Sequence, residues 1–114
     1  LLSRSFLFSA LSFALGATTS VYANAEVDDI IREDIASAQV MTETCPAAIG
    51  KNAKFDQNIQ KAINALLGKY SNKSTTLESL QKSAEYQEVL TEARESAKEV
   101  DAEEQKAVCE EVAA

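Results

Sequence analysis

Residues 55–70 read FDQNIQKAINALLGKY, and this stretch decides the fold. Its apolar side chains recur every three or four residues, so they lie on one face of an α-helix. Those positions are Phe55, Ile59, Ala62, Ile63, Leu66, Leu67 and Tyr70. Gly68 and the polar residues 71–74 mark the end of the helix. A helix with one apolar face needs partners to cover that face, so the rest of the chain should supply further helices.

The preceding segment predicts a first helix over residues 27–42. Its first two turns are rich in Asp and Glu, which the helix dipole favours at that end. The predicted buried face consists of Val27, Ile30, Ile31, Ile35, Ala38 and Met41. Pro46 is expected to interrupt the chain, because proline is tolerated at a helix start and breaks a helix interior. Cys45 would then stand at the end of the first helix.

The following segment predicts a third helix that begins at Thr75 or Thr76. The pattern Thr75-x-x-Glu78 fits a capping box, in which the two side chains bind the free backbone N–H groups of the first turn. Ala, Glu, Lys, Gln and Leu dominate the chain after residue 25, and all are good helix formers. No segment alternates as a strand does over any length. The sequence therefore predicts an all-α fold.

One unbroken helix over residues 76–112 would be about 55 Å long, which is too long for so small a domain. We therefore expect a break in this segment. Asp101-x-x-Glu104 offers a second capping signal, and a break near Ser83 is the other candidate. The result is a small antiparallel bundle of three to four helices.

The first 25 residues have the three-part layout of a secretory signal peptide. A basic start at Arg4 is followed by an apolar run over residues 6–15, FLFSALSFAL, and then by the small-residue stretch ATTSVYANA. Cleavage is expected after Ala23 or after Ala25. The apolar run has about ten residues, whereas a membrane-spanning helix needs about 20. The alternative is an N-terminal helix that stays attached and is amphipathic or buried.

Residues 26–114 then form a single helical domain of an exported protein, either periplasmic or secreted. This domain contains both cysteines, Cys45 and Cys109, which stand 64 positions apart. An even number of cysteines in a short exported chain predicts an intramolecular disulfide, which would stabilise the fold by about 4 kcal/mol through loop closure. The alternatives are an intermolecular bridge and a reactive pair, although reactive pairs are usually spaced as C-x-x-C.

Charge is distributed unevenly along the chain. The full sequence has 18 acidic and 11 basic residues, a net charge of −7, and no His. Acidic residues dominate before residue 46 and after residue 75, and the segment between them contains five Lys and one Asp. We interpret this pattern as a basic middle helix lying between two acidic ones. The overall charge argues against a nucleic-acid binder, which needs clustered positive charge.

The most organised candidate site is an acidic stripe in the last third of the chain, which we call the acidic ridge. It consists of Glu85, Glu88, Glu92, Glu95, Glu99 and Glu103. The spacing places all six side chains on one side of a helix, where like charges repel each other. A solvated surface explains such a stripe without any function. The functional interpretation is a docking surface for a basic partner protein.

Catalytic patterns are missing from the sequence. Without His, the common nucleophile–base pairs and metal sites lack their usual residue. The three glycines are too scattered for a phosphate-binding loop, and no EF-hand order of oxygens is present. Paired glutamates serve as glycosidase acids only across a cleft, which a stripe on one helix does not provide. We therefore expect neither an enzyme, nor a cofactor, nor a metal site, and we keep a carboxylate-only hydrolase as a remote alternative.

In layout the chain resembles two families of small periplasmic proteins, the HdeA-type acid-stress chaperones and the Tai-type immunity proteins. The shared features are export, about 90 residues, helices and two cysteines. The absence of His and of cofactor motifs leads us to expect that the protein binds another protein, unknown and by charge basic, as an inhibitor or immunity-type factor. The alternatives are an acid- or envelope-stress chaperone and a structural envelope protein without catalytic activity. We expect a monomer or weak homodimer, with no membrane span and no nucleic acid.

Overall fold

The computed structural model describes residues 20–114, which form five α-helices and no strand. The helices are α1 (Ser20–Ile49), α2 (Ala53–Lys69), α3 (Leu77–Gln81), α4 (Ala84–Glu99) and α5 (Ala102–Ala113). The predicted all-α class is confirmed, and the predicted number of helices was too low. Most of the predicted signal peptide lies outside the described residues, and the two expected cleavage positions fall within the first turns of α1.

The expected interruption at Pro46 was wrong. Helix α1 continues through this proline and ends at Ile49, with the Pro46 ring on the exposed side. Proline removes one helical hydrogen bond, but the residue before it, Cys45, is fully buried and anchors this turn in the core. The helix ends at Gly50, whose φ of +77° suits glycine and whose N–H donates to the Pro46 carbonyl at 2.9 Å.

The last third of the chain breaks at both candidate positions. Ser83 caps α4 by accepting a hydrogen bond from the Tyr86 N–H, and Asp101 caps α5 by accepting one from the Glu104 N–H at 2.8 Å. These two breaks give five helices, because the short α3 precedes the first of them. The capping box of α3 is formed by Thr76 with Ser79, one residue beyond the predicted Thr75-x-x-Glu78 pair.

Helix α1 is the central element of the fold, because α2, α4 and α5 all pack against it. Helices α1 and α2 are antiparallel, as predicted for successive helices. Their paired ends are joined by Asp28, which accepts hydrogen bonds from the Ser71 N–H at 3.0 Å and from its hydroxyl. One turn further on, Arg32 donates to the Tyr70 hydroxyl at 2.8 Å. Asp28 and Arg32 therefore fix the start of α1 to the end of α2.

Helices α1 and α4 run in the same direction. Arg32 contacts Glu85 near the start of α4 at 3.5 Å, and Glu43 binds Arg94 near its end. The parallel arrangement arises because α2 leads the chain back along α1 and α3 turns it again before α4 begins. The antiparallel prediction therefore holds for α1 and α2 but not for α1 and α4.

The core lies between α1 and the three helices around it. Its members are Ile31, Ile35, Ala36, Ala38, Val40, Cys45, Phe55, Ile59, Ile63, Tyr70, Leu80, Tyr86, Leu90 and Cys109. Tyr86 is fully buried and donates its hydroxyl proton to Gln39 Oε1 at 2.6 Å. Burial raises the pKa of Tyr86 to about 12. Val27 and Ile30, predicted to be buried, are 48% and 57% exposed, and the buried face of α1 begins instead at Ile31.

The predicted disulfide between Cys45 and Cys109 is present, with 5.6 Å between the two Cα atoms. It joins α1 to α5, and Cys109 is the one buried residue of α5. Helix α5 crosses α1 at this point towards α2, where Asn58 Nδ2 donates to the Val112 carbonyl at 2.6 Å. The bond therefore fixes the last helix to the centre of the fold.

The expected position of the basic segment was wrong. The acidic helix α1, and not the basic helix α2, lies in the middle. The lysines of residues 51–73 are exposed, and none of them forms an ion pair within residues 20–114. Ion pairs with these lysines therefore contribute little to the interface between α1 and α2. None of the described helices is both long and apolar enough to cross a membrane.

Candidate functional site

The acidic ridge is divided between two helices. Five of its six glutamates lie on α4, and Glu103 lies on α5 because the chain turns at Val100 and Asp101. The prediction that all six share one side of one helix was therefore wrong at Glu103. The sequence contains a signal for this break between the two helices, because Asp101-x-x-Glu104 predicts a new helix start. All six side chains belong to exposed residues.

Two ridge glutamates take part in ion pairs within the described chain. Glu85 lies 3.5 Å from Arg32, and Glu95 lies 3.4 Å from Lys98. Glu88, Glu92 and Glu99 form no ion pair among the described residues, and neither does Glu103. Much of the negative charge of this surface is therefore compensated by solvent rather than by the protein.

Arg94, on α4 within the ridge, is bound to α1 instead. Its Nε and Nη2 donate to the two carboxylate oxygens of Glu43 at 3.0 and 2.7 Å. This two-point geometry is the strongest form of an Arg–carboxylate pair. The hydrogen bond from Arg94 lowers the pKa of Glu43, and the pKa of Arg94 is raised in return. Arg94 is therefore not available to neutralise the ridge.

Arg32 joins three elements at the opposite end of α1. It donates to Asp29 Oδ1 at 2.6 Å and to the Tyr70 hydroxyl at 2.8 Å, and it approaches Glu85. Its side chain is 15% exposed. Burial disfavours its charge, but the hydrogen bonds to Tyr70 and Asp29 outweigh burial and raise its pKa. No sequence pattern indicates this role of Arg32, because its partners lie on different helices.

A groove runs between α1 and α4, and no residue of α2 lines it. It consists of two depressions of about 220 and 170 Å³ that share Ser37, Ala93 and Ser96 and are therefore continuous. Small side chains line its middle, which is why two packed helices leave a furrow here. We call this feature the α1–α4 groove. Sequence reasoning missed it, because it depends on which small residues of two distant segments meet.

The two ends of the α1–α4 groove differ in chemistry. One end is lined by the carboxylates Glu33 and Glu92, neither of which forms an ion pair within the described chain. The other end is bounded by Val100 and Val108, which are 39% and 43% exposed. No Lys or Arg lines either depression. The groove is thus apolar at one end and acidic at the other.

A wider depression of about 680 Å³ lies on the other side of α4. Its charged lining residues are largely paired with each other, Glu43 with Arg94 and Glu95 with Lys98. Thr44 lines both this depression and the α1–α4 groove, and its Oγ1 is buried without a hydrogen-bond partner in the described chain. Self-compensated charge makes this second depression the weaker candidate for binding a charged partner.

The described residues contain no group of three or more His, Cys, Asp or Glu side chains placed to hold a metal ion. The buried residues are apolar, aromatic or disulfide-bonded. The arrangement at the groove can therefore exclude water from an apolar surface and attract positive charge beside it.

The fold defines a small all-helical domain closed by one disulfide. Residues 31–112 match the family model described as "Domain of unknown function (DUF7944)", and the chain belongs to this family. The matched region contains both cysteines and every residue named above for the α1–α4 groove. No curated protein and no solved structure matches the chain.

Proposed function

We propose that this chain is an exported protein without catalytic activity that works by binding another, basic protein, as an inhibitor or immunity-type factor. The observation that carries the proposal is the α1–α4 groove, which combines exposed apolar side chains with carboxylates that have no intramolecular counter-ion. Apolar surface supplies affinity on burial, and complementary charge speeds association and selects the partner.

Export is supported by the signal-peptide pattern of residues 1–25 and by the disulfide. A disulfide of this kind persists in oxidising compartments such as the periplasm or the extracellular medium. Either compartment suits a factor that binds its target outside the cytosol. The two expected cleavage positions leave the family-matched region intact.

The test is affinity capture from an envelope extract of the source organism, at low and at high salt. We expect one partner in stoichiometric amount that is released as salt screens the charges. A Glu88→Gln/Glu92→Gln variant should lose most of this capture. A Lys54→Gln/Lys61→Gln variant on α2, equally exposed, is the matched control and should retain it.

Two results would contradict the proposal. The first is the absence of a stoichiometric partner at either salt concentration. The second is a partner that binds the Glu→Gln and Lys→Gln variants equally well, since binding would then be independent of the acidic surface.

An acid-stress chaperone is the second candidate, and a specific observation favours it. Two contacts that join α1 to its neighbours, Asp28 with Ser71 and Glu43 with Arg94, are strongest when the carboxylates are ionised. Acid weakens both, and at pH 2 the protonated domain keeps only positive charge, which repels itself. The apolar faces of α1 and α4 would then open to bind unfolded proteins. Unchanged circular dichroism and dye binding between pH 7 and pH 2 would exclude this function.

A further inference from the structure

We infer that the α1–α4 groove receives a cationic amphipathic α-helix of its partner, about three turns long. This inference rests on the proposed function and specifies the partner's binding element. Three observations support it, namely the length of the groove, the size of the side chains within it and the distribution of charge along it.

The length of the groove fits a short helical segment. It extends along α1 from Glu33 to Thr44 and along α4 from Val89 to Val100. Eleven helical steps on each side correspond to about 16 Å, at 1.5 Å per residue, or about three helical turns. A segment of this length presents three or four apolar side chains on one face, at positions i, i+3 or i+4, and i+7.

The shape of the groove favours a helix over an extended strand. Its two long walls, α1 and α4, run in the same direction, and α5 bounds one end through Val108 and Cys109. Small residues line the middle of the groove, namely Ser37, Ala93, Ser96 and Ala97. A third helix can lie in such a furrow with its side-chain ridge between the two walls. Both walls also use their backbone N–H and C=O groups internally, so they offer no edge with which a strand could pair.

The charge of the groove determines the sign and orientation of the occupant. Glu33 and Glu92 stand at one end without intramolecular counter-ions, and no basic residue lines the groove. Val100 and Val108 form the other end, where they expose apolar surface. The complementary helix therefore has an apolar end and an end flanked by Lys or Arg. The basic end lies beside Glu33 and Glu92.

The experiment uses a defined probe with the disulfide-bonded protein. The probe is a labelled 14-residue peptide of Leu and Lys, with Leu at helical spacing, and binding is followed by fluorescence anisotropy. Two control peptides accompany it. One has the same composition in scrambled order, so that it keeps the charge and loses the apolar face. The other has Glu in place of Lys. We expect the helical Leu/Lys peptide to bind at least about tenfold more tightly than either control.

Variants locate the binding site. Ser96→Trp fills the groove from an exposed position and should weaken binding of the helical peptide at least tenfold. Asn64→Trp adds the same side chain on the exposed face of α2 and should leave binding unchanged. Glu33→Gln/Glu92→Gln should weaken binding at low salt, and the difference should disappear at high salt. Val108→Asn is a second groove variant, for use if circular dichroism shows that Ser96→Trp does not fold.

The outcomes separate this inference from the proposed function. Equal binding of the helical and scrambled peptides, or full binding by both groove variants, would overturn the inference. If the groove inference fails in this way but a partner is still captured in a salt-sensitive manner, the proposed function is retained and the acidic surface alone explains the binding. A homodimer in sedimentation that Ser96→Trp dissociates would overturn the inference in favour of a second copy of this chain. Specific peptide binding without any captured partner would leave the groove assignment intact and overturn the function.

Discussion

Helices α4 and α5 pack against the same central helix but are held there in different ways. On α4, Tyr86 is fully buried and Leu90 is only 2% exposed. Arg94 of the same helix binds Glu43 on α1. Helix α5 buries only Cys109, whose sulfur is bonded to Cys45. Side-chain packing thus holds α4 in place, whereas α5 depends mainly on the disulfide, supported by the hydrogen bond from Asn58 to Val112 and by the partly buried Val112 and Ala113.

This difference matters for the α1–α4 groove, because both helices contribute to it. Its acidic end is built from α1 and α4 alone, through Glu33 and Glu92. Its apolar end includes Val108 and Cys109 of α5. The acidic end therefore depends on packing in the core, and the apolar end depends on the disulfide. A change that weakens core packing should therefore affect the acidic end of the groove first, and loss of the disulfide should affect the apolar end first.

Removing the disulfide should have the largest effect and should affect α5 most. For Cys45→Ala/Cys109→Ala we expect a loss of about 4 kcal/mol, from the added freedom of the unfolded chain, and a fall in Tm of about 16–32 °C. Hydrogen exchange at low temperature should show fast exchange along α5 and continued protection along α4. Equal protection of both helices would remove the distinction between them.

The complementary change removes packing from α4. Leu90→Ala deletes a buried side chain and should destabilise the fold by about 3 kcal/mol, measured by urea unfolding with the disulfide intact. Val112→Ala is the matched change on α5, where the side chain is only partly buried, and should cost less than about 1 kcal/mol. A larger loss for Val112→Ala would mean that α5 is held by packing after all.

Thr44 lies where α4 and α5 both approach α1, and its substitution should stabilise the fold. Thr44→Val replaces a buried, unpartnered hydroxyl with a methyl group of similar size, which should raise the stability by about 1 kcal/mol. Thr42→Val is the control, because the exposed Thr42 hydroxyl already donates to the Gln39 carbonyl. An equal effect of both changes on Tm would contradict this explanation.

Protonation of Glu43 and Asp28 should have the smallest effect of the four changes and should act on α4 and α2 rather than on α5. The pKa values of Glu43 and Asp28 are lowered, by Arg94 and by Ser71 respectively. Their contribution is therefore complete above their ordinary values, 4.5 and 3.8, and is lost as the pH falls through the lower values of the folded state.

The measurement compares Tm of the protein and of Glu43→Gln from pH 7 to pH 2. The protein should be more stable at pH 7, and the difference should shrink as the pH falls, because protonation makes Glu43 neutral like the glutamine. A difference that stays constant over this range would show that ionisation of Glu43 does not matter to α4.

The sequence predicted those features that local chemistry decides. The 3–4 spacing of Phe55, Ile59 and Ile63 predicted α2 and its buried face. The even number of cysteines predicted the disulfide. Asp101 was identified as a capping residue, and it caps α5. These predictions succeeded because a helix face or a cap involves residues only a few positions apart. The export signal stays a prediction.

Features that depend on contacts between distant segments were missed. Pro46 was expected to end α1, but the buried Cys45 beside it holds the last turn against the core. Either Ser83 or Asp101 was expected to break the chain, and both residues do so, each by capping a helix. The groove could not be predicted either, because Ser37 meets Ala93 only when α1 and α4 lie parallel. The amino-acid composition of the two segments does not determine whether their helices run parallel or antiparallel.

The enclosure of both sulfur atoms has a consequence for the biogenesis of this protein. Cys45 and Cys109 are 0% and 1% exposed in the finished fold, so an oxidoreductase cannot reach the bond there. Oxidation must therefore precede or accompany the final closure of the helices. Cys109 follows Cys45 by 64 residues, so nearly all of the described domain must be free to fold before the two thiols can meet. After closure the linkage should outlast changes in the surrounding thiol supply for as long as the domain stays folded.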